Sequence, residues 1–145
     1  METGRCSLFP TATLTYARSH MSGVPEGILL VVEDDADLRA AVVEIIASSG
    51  QLVSMAKDGL EALTWLEVHG RPRLVLLDMG MPRMTGQDFL VRVARHWPGL
   101  AVVAMTTRPI HHPGVLDTLL KPFDLETLLE RLPVWLRLAR DLPRP

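Results

Sequence analysis

A chain of 145 residues has room for one domain and little more. With 48% hydrophobic and 22% charged residues and a formal net charge of −2, it offers no electrostatic case for a nucleic-acid or membrane surface. Its lone cysteine, Cys6, excludes an intramolecular disulfide. No apolar run approaches the ~20 residues of a membrane helix, and no secretory signal is visible, so the expected compartment is the cytoplasm.

Residues 1–27 show no sustained periodicity and are rich in Thr, Ser, Gly and Pro, the composition of a mobile leader; Met21 offers an alternative start. Ile28-Leu29-Leu30-Val31-Val32 is a short continuous apolar run, which suits a strand buried on both faces, and it ends in Glu33-Asp34-Asp35. Asp35 is placed to cap a helix carrying Leu38, Ala41, Val42, Ile45 and Ile46, closed by Gly50. Residues 52–56 read as a second strand. Asp58 caps a second helix with Leu60, Leu63 and Leu66, closed by Gly70. Residues 74–77 form a third buried strand ending at Asp78, and a loop over 79–85 leads to a helix marked by Phe89, Leu90, Val93 and Ala94. That helix stops near Trp97-Pro98-Gly99. Residues 100–105 make a fourth strand, followed by Thr106-Thr107, and residues 115–120 a weaker fifth, ending at Lys121-Pro122-Phe123. A last helix begins near Asp124, with Leu125, Leu128, Leu129 and Leu132 on one face.

Strands alternating with helices imply right-handed βαβ units and a parallel sheet covered on both sides. The expected fold is a three-layer, doubly wound α/β domain with a five-stranded, flavodoxin-like sheet of order 2-1-3-4-5. Ligands of such sheets bind beyond the carboxyl ends of the strands, where this chain places Glu33-Asp34-Asp35, Asp78, Thr106-Thr107 and Lys121.

Strands one and three are neighbours in that order, so Glu33, Asp34 and Asp78 converge. Three carboxylates in one pocket repel unless a cation sits among them. Mg²⁺ suits the place, since it accepts one or two carboxylates and leaves positions for phosphate oxygens. Lys121 adds one positive charge and Thr106 a hydroxyl. An aspartate in such company is arranged to attack phosphorus as a nucleophile. Singly, each residue has a plainer reading: a helix cap, a strand-end carboxylate, a β-branched strand residue, a solvated lysine. Four strand ends each supplying the residue type this chemistry needs favour the site.

The motifs "ILLVVEDD" (28–35), "LVLLDMGMPRMTG" (74–86), "VVAMTTR" (102–108) and "KPF" (121–123) resemble, in order, those of bacterial response-regulator receiver domains. The resemblance runs through residues 28–132. It implies that Glu33 and Asp34 are the acidic pair, with Asp34 a direct metal ligand, and that Asp78 is both phosphoacceptor and ligand. The Gly80 backbone carbonyl would complete the Mg²⁺ site. Thr106, with Thr107 beside it in place of the commoner Ala or Ser, would supply the switch hydroxyl, and Lys121 would pair with the phosphoryl oxygens. Lys121-Pro122 becomes a candidate cis peptide. A histidine kinase or phosphotransfer protein is implied as donor, with slow self-catalysed dephosphorylation and no other enzymatic turnover. The expected organisation is a leader over 1–27, a receiver domain over 28–133, and a helix extension and tail over 134–145. With no output domain visible, the expectation is a stand-alone regulator, a monomer or weak dimer, signalling to an unidentified downstream protein by contact or phosphate relay. A rival is a docking module that no longer takes phosphate.

Two departures fall on one face. Only residues 107–114 separate strands four and five, whereas a parallel crossover normally takes about a dozen residues or more. Pro109 and Pro113 also push Arg108 and His112 away from helical angles. The fourth helix is therefore expected to be shortened or absent. Thr118 stands where the family carries an aromatic residue. His111-His112, in a Pro-rich turn, read as polar loop residues, and Trp65, Trp97 and Trp135 as packing residues. An aspartate-nucleophile phosphatase would need a second acid where Gly80 stands, and no P-loop occurs.

Overall fold

Five short apolar segments form the sheet of the computed structural model, which describes residues 27–143. Apart from Gly27, the leader expected over 1–27, with Cys6 and Met21, lies outside the described residues. The strands are β1 (Ile28–Val32), β2 (Leu52–Ala56), β3 (Leu74–Asp78), β4 (Val102–Thr106) and β5 (Asp117–Leu120). The helices are α1 (Ala36–Ser48), α2 (Gly59–His69), α3 (Gly86–His96) and α4 (Leu125–Arg140). All pairings are parallel, in the order β2-β1-β3-β4-β5. Every residue of β3 and β4 is buried, which is why neither strand alternates in sequence.

The sheet divides two cores. Leu29, Val31, Leu74, Leu76, Val103 and Met105 face α1 and α4, whereas Leu30, Val32, Val75, Leu77 and Val102 face α2 and α3. Each core holds a fully buried tryptophan whose indole N–H is satisfied. Trp65 donates to Ser54 Oγ at 2.9 Å and Trp135 to Asp117 Oδ2 at 2.8 Å. The cap residues act as their chemistry directs. Asp35 Oδ1 accepts from the amides of Asp37 and Leu38, Asp58 Oδ1 from Glu61, and Thr85 Oγ1 from Asp88. Helix α4 runs on through Pro133, which is exposed and removes one N–H, because Leu128, Leu132, Trp135, Leu136 and Ala139 are packed on both sides of it.

Between β4 and β5 the described chain forms no helix, in keeping with the short, proline-containing spacing. A turn takes its place. Val115 N–H donates to His112 O at 3.0 Å, Gly114 N–H to His112 Nδ1 at 2.9 Å, and Leu116 N–H to Val102 O at 2.7 Å. Val115 is spent on that turn, and Leu116 N–H reaches across to β4 just ahead of the ladder, so β5 begins at Asp117 rather than at Val115. Thr118 and Leu120 point to the side where a crossover helix would lie, and Leu120 is 47% exposed. An open groove of about 640 Å³ beside them is lined by Pro109, Ile110, Pro113, Leu116, Thr118 and Leu120.

Candidate functional site

The parallel register brings four strand ends into step. Val32 pairs with Leu77, so Glu33 follows β1 level with Asp78, the last residue of β3. Asp78 pairs with Met105, one residue before Thr106, and Lys121 N–H donates to Thr106 O at 2.7 Å. Lys121 Nζ then lies 2.9 Å from Glu33 Oε1 and 3.1 Å from Asp78 Oδ1. One carboxylate oxygen from each of Glu33, Asp34 and Asp78 falls within 4.8 Å of the other two. Glu33 and Asp78 are buried and Asp34 is exposed, so the acidic cluster is rooted in the protein and open on one side.

The backbone holds the cluster in place. Glu33 N–H donates to Ala56 O at 3.1 Å, and Glu33 Oε2 accepts Asp35 N–H at 3.2 Å. Asp78 Oδ1 accepts from Gly80 N–H at 3.0 Å as well as from Lys121. The loop after Asp78 closes tightly onto α3: a Cβ added at Gly86 would lie 2.8 Å from Met79 Cα, so a side chain there would force the loop open. Thr106 Oγ1, at the edge of the site, accepts Arg108 N–H at 3.3 Å. Thr107 beside it is exposed, as is Pro122, and the Lys121–Pro122 peptide is cis.

Two of the three acids, Glu33 and Asp78, share one ammonium, and the electrostatics of the cluster reflect it. Burial, reinforced by Asp78, pushes the Glu33 carboxyl up to about 7 against the opposing pull of Lys121. Hydrogen bonding to Asp78, then partial burial, raises Asp34. Burial also acts to raise Asp78, but hydrogen bonds from Asp34, Gly80 N–H and Glu33, with the Lys121 charge, hold it below its ordinary value. Burial acts to lower Lys121, and the two acids more than reverse this, so it stays charged. Of the three acids, Asp78 is thus the one whose charged form its surroundings favour. Glu33 Oε1 is buried with the Lys121 ammonium at 2.9 Å as its one partner, an ion pair without aligned hydrogen-bond geometry. A buried, under-satisfied carboxylate oxygen in an all-oxygen cluster is what a hard divalent cation would complete.

Two basic residues at this edge carry no motif of their own. Arg39 Nη1 donates to Glu33 O at 2.9 Å. Arg83, in the loop after Asp78 with a φ of +67°, is hydrogen-bonded to the buried Asp58. For Arg39 a signal existed: a cation close behind a helix N-cap opposes the helix dipole and so points to another use. For Arg83 there was none, because its partner is 25 residues away in sequence.

A family model described as the response regulator receiver domain matches residues 29–133. Among curated proteins, "Response regulator MprA" of Mycobacterium sp. (strain KMS) is 34% identical over 116 residues, covering 75% of this chain and 50% of that protein. The chain thus spans about half the length of the curated relatives it matches. Among solved structures, the chemotaxis protein CheY4 of Vibrio cholerae is 29% identical with a TM-score of 0.67, covering 74% of this chain and 97% of that one. A CheY-like receiver domain protein of Methanospirillum hungatei is 27% identical with a TM-score of 0.70, covering 79% and 98%. The chain belongs to the response-regulator receiver domain family of two-component systems.

Proposed function

We propose that this receiver domain accepts a phosphoryl group on Asp78 from a histidine kinase or phosphotransfer protein in the cytoplasm, with Mg²⁺ held by Asp34, Glu33, Asp78 and the Gly80 carbonyl. The observation that carries this reading is the convergence of the three acids with Lys121 at the carboxyl edge of the sheet. Bound Mg²⁺ supplies positive charge that offsets the charge on the transferring phosphoryl group. Lys121 and Gly80 N–H both engage Asp78 Oδ1, which leaves Oδ2 as the attacking oxygen. Its lone pair forms the O–P bond while the donor's P–N bond breaks, the electron pair leaving on the imidazole nitrogen. Lys121 then pairs with a phosphoryl oxygen, and Thr106 exchanges its hydrogen bond from Arg108 N–H for one donated to the phosphoryl group. Turnover is confined to the chain's own acyl phosphate, which water cleaves slowly. Output passes to another protein by contact or by phosphate relay.

Incubation with Mg²⁺ and acetyl phosphate, followed by intact mass measurement, tests this. A gain of about 80 Da, one phosphoryl group, is expected on the wild type and not on Asp78→Asn. No gain on the wild type overturns the reading in favour of a docking module that takes no phosphate.

A further inference from the structure

Asp34 is the acid of the cluster that packing does not hold. Glu33 and Asp78 are buried, whereas Asp34 is exposed and its carboxylate is hydrogen-bonded only within the acidic cluster and to its own backbone. The direction of its Cα–Cβ bond is set by the two peptide planes that flank it, since planar peptides leave the backbone only φ and ψ to turn about; contacts within the cluster then select the side-chain rotamer. Both planes are gripped. The plane after Asp34 ends in Asp35 N–H, which donates to Glu33 Oε2 at 3.2 Å. The plane before it carries Glu33 O, which accepts Arg39 Nη1 at 2.9 Å.

We infer that Arg39 is a positioning residue for the acidic pair: its guanidinium fixes the Glu33–Asp34 peptide and so aims Asp34 into the cation site. The choice of residue is otherwise unfavourable. Arg39 lies just past the first turn of α1, where the helix N-terminus repels cations. Among the described residues its guanidinium forms no ion pair, and its hydrogen bond goes to a backbone carbonyl. That carbonyl lies beyond the end of the β1–β2 ladder, whose last residue pair is Val32 with Ala56, so no strand partner satisfies it. A charge-assisted donor reaching back six residues is a stronger clamp than a neutral one, and it holds the backbone without competing for the carboxylates. Glu33, anchored by Ala56 O and Lys121, keeps its place without this clamp; Asp34 does not.

The inference rests on the reading of Glu33, Asp34 and Asp78 as an Mg²⁺ site. Its test is Mg²⁺ titration of wild type, Arg39→Ala and Arg39→Lys, followed by amide chemical shifts in the absence of phosphodonor, with melting temperatures in EDTA measured alongside. Arg39→Ala is expected to weaken Mg²⁺ binding by about tenfold or more, the range found when a group supporting a metal ligand is removed. Arg39→Lys, which keeps a charged donor, is expected to fall between the two. A dissociation constant for Arg39→Ala within about twofold of wild type, with only the EDTA melting temperature lowered, would make Arg39 a stability residue and overturn the inference. Should Arg39→Ala fail to fold, Arg39→Lys and Arg39→Gln decide it by the same criterion. A wild type that shows no Mg²⁺-dependent shifts overturns the metal-site reading itself, which separates the two failures.

Discussion

At the carboxyl ends of β1 and β3 the buried acids Glu33 and Asp78 are tied to their neighbours, whereas the crossover from β4 to β5 is a short turn with a few backbone hydrogen bonds and an open groove beside it. Glu33 is held through its N–H, its carbonyl and both carboxylate oxygens, and Asp78 through Oδ1 by two donors. The ten residues between Thr106 and Asp117 have no helix to bury, and Leu120 stays half exposed where one would lie. Chemistry and readout thus have different tolerances. A phosphoryl-transfer site works only if its charges are positioned, while the surface that reports on it can be rebuilt without disturbing them.

The sharpest way to break this comparison is at Asp78. Asp78→Asn is expected to abolish the mass gain with acetyl phosphate while leaving the fold intact, since the amide is close in size and Gly80 N–H and Lys121 keep an oxygen to donate to. Residual phosphorylation at wild-type rates would move the acceptor elsewhere.

Next in size is Trp135→Ala on α4. Helix α4 and β5 carry the edge of the domain that lacks a crossover helix, and Trp135 fills the core beneath them with its N–H on Asp117. The loss is expected to be about 3–5 kcal/mol in chemical denaturation, the usual cost of emptying a buried tryptophan site. A much smaller loss would mean that this edge is loosely packed.

A pH titration sharpens the same edge. Burial acts to raise Asp117, but the Trp135 indole, Thr118 N–H and the Arg131 guanidinium hold it below its ordinary value. A carboxyl whose folded value is depressed stabilises the fold above its unfolded value and loses that contribution as the pH falls through the folded one. Asp117→Asn is therefore expected to lower stability at neutral pH, with the gap from wild type beginning to close only as the pH falls below about 4, in thermal melts across pH 2–7. The gap at pH 7 should stay under about 1 kcal/mol, because the carboxylate is partly exposed and solvent screens it.

Much of both regions was legible in the sequence, for different reasons. The sheet order and the four strand ends followed from apolar runs and from where each run stops, because a buried parallel strand ends abruptly in polar residues. The missing helix followed from spacing and from Pro109 and Pro113. The start of β5 did not, since Val115 and Leu116 are apolar enough for a strand, and only the turn bond of Val115 to His112 and the register of the ladder from Asp117 place them before it. The contact made by Arg83 was hidden because it depends on a helix cap 25 residues away, whereas Arg39 was marked only by its unfavourable place close behind a helix N-cap, which does not name its partner.

The smallest expected effect tests whether the two regions are separable at all. The double change His111→Ala and His112→Ala removes the acceptor that His112 Nδ1 offers to Gly114 N–H, a bond on an exposed turn. Stability should move by no more than about 0.5 kcal/mol, and the acetyl phosphate mass gain on Asp78 should be unchanged. One structural link runs the other way, from the Arg108 amide to the Thr106 hydroxyl. If loosening the turn altered the rate of phosphorylation, that hydrogen bond is the path by which it would do so. Thr106→Ala combined with the histidine changes would then show no further effect of the turn, whereas a persisting effect would place the coupling outside Thr106.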